Sequence, residues 1–250
     1  MAFPALTTVR ARTVFAPLDE GGRAGTVARR LAQAITLGLL LDGERLPAET
    51  ELASQFGVSP VTLREALAAL REAGLVETRR GRRGGSFVRA PDDGEAGAQA
   101  AQLTGQLRRL SLHELRDIGD HRAAVAGTAA RLAAQRALPG DVATLREHVG
   151  RLRAAGTLSE RRRADARIHI EIAAAAQSPR LTREEMTLWS EVGDLVWLPV
   201  TGGLVPGVSS EHDALIDAIE QQDGEHARRL AEQHVLAETS RLLDLRLGLE

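Results

Sequence analysis

The chain has 250 residues, enough for two domains that each bury a core, and no cysteine, which excludes disulfides and thiolate metal sites and suits a reducing cytoplasm. Its net charge of −2 would argue against nucleic acid if it were evenly spread, but residues 1–91 hold 13 arginines against 9 acids, and residues 92–250 hold 19 against 25. A basic N-terminal part joined to an acidic C-terminal part fits a DNA-binding domain carrying a separate sensor. There is no run of eighteen apolar residues and no apolar segment ahead of a small-residue cleavage site. A membrane span and a secretory leader are therefore not expected, and the cytoplasm is the expected location. All 32 basic residues are arginine, which reads as coding bias.

In chain order, residues 1–22 are mixed and glycine-bearing and read as a flexible arm. A helix is predicted over about 24–40 (TVARRLAQAITLGLL), packing under the next two helices. Residues 45–89, RLPAETELASQFGVSPVTLREALAALREAGLVETRRGRRGGSFVR, read as a winged helix-turn-helix, giving a DNA-binding domain over 23–90. A short helix over about 49–56 stops at Gly57, and Ser59 is a good N-cap with Pro60 at the first helical position. The helix from Ser59 to Ala73, ended by Gly74, carries Val61, Leu63, Ala66, Leu67 and Leu70 as its expected buried stripe, with Thr62, Arg64 and Arg71 outside it. Arg64 can reach a guanine edge or a phosphate, and Thr62 can offer a hydroxyl or a methyl. Residues 75–78 and 86–88 are predicted as two strands joined by a basic loop. In that loop Arg79, Arg80, Arg82 and Arg83 stand among glycines, Gly84 included, that let a hairpin tip approach DNA closely.

Residues 91–100, polar and rich in small residues, read as a linker. Beyond them lies a helical domain over 101–250, with helices predicted at 101–109, 112–137, 141–155, 160–177, 180–198, 210–222 and 224–247. The expected fold is mainly α: an N-terminal winged helix-turn-helix and a C-terminal all-helical antiparallel bundle, whose interior can hold a ligand. Asp165 and His169, at i and i+4, share one helix face. His212 opens the penultimate helix and His234 lies within the last. One carboxylate and three imidazoles suit a divalent metal, zinc or nickel first, with manganese or iron also accommodated. The other reading of the same residues makes His212 a helix cap and His169 a satisfied core histidine. Trp189 and Trp197, before the loop 199–209, read as core.

Residues 43–70 resemble the GntR family of bacterial transcription regulators. The matches are Gly43, Leu46, Pro47, Glu49, Leu52, Ala53, Phe56 to Ser59, Thr62, Arg64 to Leu67 and Leu70. Members often carry arginine where this chain has Thr50 and Pro60, so base recognition is expected to lean on Thr62, Arg64 and the wing. The C-terminal half is similar to the FCD-type sensor domain of the FadR subgroup. Its D-x-x-F-H, E-H and late-histidine elements are matched by Asp165 to His169, Glu211-His212 and His234, with Ile168 in place of the usual phenylalanine. That resemblance implies that Asp165, His169, His212 and His234 bind one metal per chain, with octahedral geometry completed by water or ligand. Asp120-His121-Arg122 resembles the family's E-x-R, which implies that Arg122 binds an effector carboxylate; Ala126 stands where a glutamate is often found. The function so implied is a regulator, expected as a repressor, that binds a palindromic double-stranded operator as a homodimer and answers to a small organic acid. Two rivals are a DNA-binding dimer whose C-terminal half is purely structural, and a metal-dependent hydrolase. No catalytic residue is assigned and no enzyme is expected: the chain has no G-x-S-x-G, no P-loop and no dinucleotide fingerprint.

Overall fold

The computed structural model describes residues 14–15, 24–81, 84–90, 96–198 and 208–249. They fall into two compact units, Met1–Asp92 and Asp93–Glu250.

In the first unit, α1 (Ala24–Thr36) packs on α3 (Pro60–Glu72). Helix α1 stops four residues short of the predicted end because Gly38 takes a left-handed φ of 65°, and the Leu39 amide turns back to the Ala34 carbonyl at 2.8 Å. Helix α2 (Glu49–Phe56) ends on Gly57, at φ 67°, whose N–H donates to the Ala53 and Ser54 carbonyls. Ser59 then caps α3, its Oγ accepting from the Thr62 amide at 3.1 Å. Leu31, Ile35, Leu52, Phe56, Leu63 and Leu67 fill the core between the three helices. The buried stripe of α3 begins at Leu63 and not at Val61, which is 60% exposed. A residue two positions before Leu63 lies about 200° round the helix, on the opposite face. Strands β1 (Val76–Arg79) and β2 (Gly85–Val88) pair antiparallel, Val76 opposite Val88 and Arg79 opposite Gly85. The segment before α2 braces this wing: the Leu46 amide donates to Ser86 O at 2.9 Å and the Val88 amide to Glu44 O at 2.8 Å. Within the stretch expected as an arm, Val14 and Phe15 are buried, Phe15 meeting Phe56 edge-on at 5.9 Å. The rest of that stretch lies outside the described residues.

The second unit holds α4 (Ala96–Arg109), α5 (Leu112–Arg136), α6 (Pro139–Ala154), α7 (Leu158–Ala175), α8 (Pro179–Val192), α9 (Val208–Glu220) and α10 (Gly224–Leu247). Helix α4 begins inside the stretch expected as linker, because Ala96 to Leu103 are mostly alanine and glutamine, good helix formers. Helix α8 ends at Val192, short of the predicted 198: Gly193 breaks it, and a single 3₁₀ turn, Leu195–Trp197, follows. Capping boxes start α5 (Ser111 with Glu114) and α7 (Thr157 with Glu160). Helix α7 runs through the middle of the bundle, buried without interruption from Ala164 to Ile170, with α5, α6 and α8 against it. Helix α10 lies along α5, which presents Ala123, Ala126, Ala130 and Ala133 to the interior.

Gly119 of α5 packs tightly against α10. A Cβ there would overlap the side chain of Thr239, whose hydroxyl is already held by the Val235 carbonyl at 2.9 Å. Glycine inside a helix costs about 1 kcal/mol of intrinsic propensity, whereas overpacking a filled interface costs roughly 1–3 kcal/mol. Gly119→Val should therefore lower unfolding stability by roughly 1–3 kcal/mol in urea titration. Unchanged or raised stability would mean that the contact is slack.

Candidate functional site

Three helices deliver one cluster. Helix α7 supplies Asp165, with no exposed surface, and one turn later His169, 5% exposed; α9 supplies His212, 1% exposed, and α10 supplies His234, 6% exposed. One ligand-type atom from each lies within 4.8 Å of all the others. His212 Nε2 is 3.3 Å from His169 Nε2 and 3.4 Å from Asp165 Oδ1. Ligands at about 2.1 Å from a common ion stand about 3.0–4.2 Å apart in octahedral geometry, so this spacing fits a divalent ion after small adjustments. The sharper test of fit is what lacks a partner. Asp165 Oδ1 and His234 Nε2 are buried without a hydrogen bond of good geometry, facing His212 Nε2 and Glu238 Oε1 at 3.4 Å each, an expensive condition for groups of one cluster. A cation between them would satisfy both.

The outer sides of these groups are tied down. Trp197 Nε1 donates to Asp165 Oδ2 at 2.8 Å, leaving Oδ1 for the cluster. The Glu211 carboxylate and His234 Nδ1 share a hydrogen bond of 2.6 Å, which turns Nε2 inward. His169 Nδ1 stands 3.9 Å from Glu185 Oε1, and that oxygen also accepts from Trp189 Nε1 at 3.1 Å. Trp189 and Trp197 are thus buried as the sequence suggested, but both indoles also orient acids of the site.

Sequence reasoning passed over Glu185, Glu238 and the Trp197–Asp165 bond. The spacing held a hint for Glu238, which follows His234 by one helical turn. Arg122, on α5, faces the cluster at 3% exposure, with its Cζ 5.1 Å from the centre of the Trp189 ring. Its Nη2 already donates to Glu238 Oε2 at 2.9 Å, a partner no sequence pattern announced.

The electrostatics follow from burial. Asp165 is pushed up to about 7, by desolvation first and by the neighbouring Glu238 next. Desolvation also raises Glu185 to about 7. His169 falls well below its ordinary value, because burial and the adjacent His234 and His212 oppose a charge there. Burial alone would lower His234 too, but Glu238, Glu211 and Asp165 outweigh it and raise the imidazole to about 10. Burial opposes ionisation of Glu238, yet Arg122 and His234 hold it well below the usual carboxylate range. In the absence of an ion, then, His234 carries a proton where a metal would bind.

The DNA-facing residues expected from sequence sit on the first unit's surface. Thr62 is half-buried, its Oγ1 2.9 Å from Ser59 Oγ; Arg64 is exposed, with Nε 3.1 Å from Glu49 Oε2. Arg79 lies across the Phe87 ring at 4.3 Å and pairs with Glu77 at 2.6 Å, and Arg80 is exposed. Gly84 donates to the Gly81 carbonyl at 2.8 Å, in a turn where a side chain would strike the Arg79 and Gly81 carbonyls. Arg82 and Arg83 lie outside the described residues.

Comparison with known proteins bears on both units. The model for bacterial regulatory proteins of the gntR family matches residues 23–88, and that for the FCD domain matches residues 117–237. The chain is 40% identical over 239 residues to RmpR of Mycobacterium gastri, named as an HTH-type transcriptional regulator, covering 94% of this chain and 86% of that one. It is 34% identical over 222 residues to an L-lactate dehydrogenase operon regulatory protein of Escherichia coli K12, covering 84% and 82%. It is 29% identical over 225 residues to the galactonate operon transcriptional repressor of the same organism, covering 86% and 94%. These relatives carry the names of regulators and not of enzymes. The basic wing, the capped recognition helix and the helical bundle are therefore parts of one known design: the chain belongs to the GntR family of bacterial transcriptional regulators, in the FadR-like subgroup with a C-terminal FCD domain.

Proposed function

We propose that this regulator binds a palindromic double-stranded operator as a homodimer in the cytoplasm, represses transcription, and releases DNA when a small organic acid occupies its C-terminal domain. The observation that carries the sensor part is the buried Asp165–His169–His212–His234 cluster, with an oxygen and a nitrogen that make no hydrogen bond of good geometry, beside a buried arginine. These four residues would hold one divalent ion, zinc or nickel before manganese or iron, given three imidazoles and one carboxylate. The ion, when bound, acts as a Lewis acid that draws an anionic oxygen. Arg122, whose Cζ lies 5.1 Å from the centre of the Trp189 ring, would take an effector carboxylate through its planar fork. Two of the relatives are named for an L-lactate dehydrogenase operon and a galactonate operon, and L-lactate and galactonate are both 2-hydroxycarboxylates. That is the effector class proposed here. The acid changes DNA affinity through its differential affinity for the two arrangements of the protein. In the first unit, Thr62, Arg64 and the exposed first turn of α3 would read bases, while Arg79, Arg80, Arg82, Arg83 and the Gly84 turn would follow the backbone or minor groove.

Selection of genomic fragments by the metal-loaded protein should enrich a short palindrome, and Arg64→Ala should weaken operator binding by roughly 1–3 kcal/mol. Equal affinity and sequence preference in the variant would sink the assignment of α3 as reader. L-lactate or galactonate should then release the enriched fragment; if neither they nor other 2-hydroxy acids do so, the effector class is wrong.

Metal binding carries its own test. Below pH 7 both Asp165, raised to about 7, and His234, raised to about 10, are protonated, so an ion must displace their protons. Zinc affinity should fall as pH drops from 8 to 6, roughly tenfold per unit for each proton displaced. Calorimetry in buffers of different ionisation heat should count about one to two protons released at pH 7. An affinity independent of pH would exclude these residues as ligands.

A further inference from the structure

The acid effector proposed above would find its arginine already taken. Glu238 is 2% exposed and lies one turn beyond His234 on α10. Its Oε2 accepts from Arg122 Nη2 at 2.9 Å, and its Oε1 lies 3.4 Å from His234 Nε2, the nitrogen turned toward the cluster. One carboxylate therefore touches the guanidinium and the edge of the ligand set together. A carboxylate effector bound by both Arg122 and an ion would need that same bridging position. Arg122 Nε and Nη1 are buried and make no hydrogen bond, so the fork is only partly used, yet no surface of it is open. The nitrogen that Glu238 holds is Nη2, so an acid that needs it must take the place of Glu238.

We propose that Glu238 is an internal stand-in for the effector's carboxylate: it occupies Arg122 beside the ligand cluster until an incoming acid takes its place. Binding is then an exchange of carboxylates on one arginine. The exchange has a structural consequence, because Arg122 belongs to α5 and Glu238 to α10. Their bond ties the two long helices together at the site. An effector that takes Arg122 releases α10 from that tie while leaving its C-terminal end attached, where Arg246 Nε donates to the Leu110 carbonyl at 3.0 Å. Effector binding would thereby be converted into a change in how α10 packs on α5. The stand-in also lowers apparent affinity, because only the fraction of molecules with Glu238 displaced can bind.

This inference rests on reading the site as an organic-acid sensor, and its test separates the two. Full-length, zinc-loaded wild type and Glu238→Gln are titrated by calorimetry with L-lactate, galactonate and acetate. Glutamine keeps the size and an acceptor for Arg122 but removes the competing charge. Glu238→Asp, which keeps the charge and withdraws it by one methylene, is the second variant should the first fail to fold. Either variant should bind at least one of the three acids about tenfold more tightly than wild type, as expected if the closed form holds nine molecules in ten. A purely structural role would lower the unfolding temperature without tightening any acid. Wild-type binding with no gain in the variants would overturn the stand-in and leave the sensor reading intact. If no protein binds any of the acids with zinc in place, both readings fall.

Discussion

A carboxylate with no exposed surface, Asp165, sets the terms for the whole C-terminal bundle. Removing an unpaired charge from water costs several kcal/mol, so such a group finds cationic or donor partners or keeps its proton. Trp197 supplies one donor, and the remaining oxygen faces three imidazoles. Two more buried acids, Glu185 and Glu238, stand in the same cluster. Against three buried acids the cluster sets Arg122 and a His234 whose affinity for a proton is raised; His169 is held neutral. The negative groups outnumber the positive ones. That excess of acids favours a divalent ion, and through Glu238 it adds to the desolvation that chiefly pushes Asp165 and Glu185 up to about 7.

Holding such a cluster together needs close helices. Small residues along α5 let α10 approach, and Gly119 packs closely against Thr239. Arg122 follows Gly119 by one turn on the same face, and Glu238 directly precedes Thr239. The packing of glycine against threonine therefore fixes how near the arginine comes to its acid. A buried pair of this kind gives little net stability over apolar packing, but losing one partner strands the other at a cost of about 3–5 kcal/mol. In the proposed exchange, what matters is that such a bond can be traded. A bond that contributes little overall can be traded for an equivalent one at small net cost, as a switch requires.

The DNA-binding unit was readable from its sequence because its signals are local. Gly57, Ser59 and Pro60 act through backbone geometry within a few residues, and the wing's strands follow from alternation and glycine. Val61 misled because an apolar residue beside a true stripe looks like part of it; counting back from Leu63 by helical spacing places it outside. In the bundle, the Asp165–His169 spacing and the histidines at 212 and 234 are visible as chemistry, and family resemblance suggests their convergence. The partners of that chemistry were not visible. Arg122 and Glu238 are 116 residues apart, and Trp197 reads as core until the fold places its N–H on Asp165. Such pairings belong to tertiary packing, which a linear pattern does not record.

The same weighing applies to the recognition helix. Arg64 pairs with Glu49 at 3.1 Å, with side-chain exposures of 66% and 44%. An exposed ion pair of this type contributes about 0–1 kcal/mol, whereas a bidentate contact to guanine discriminates by about 1–3 kcal/mol. Giving up Glu49 would therefore cost Arg64 little if it takes a base edge as proposed. Arg79 is placed by a similar device, since its stacking on Phe87 and its bond to Glu77 keep the guanidinium at the wing's edge while leaving it 56% exposed. Both arginines are presented by contacts weak enough to give up. At Arg122 the corresponding contact is fully buried, so giving it up would need a competing carboxylate and not merely a nearby surface.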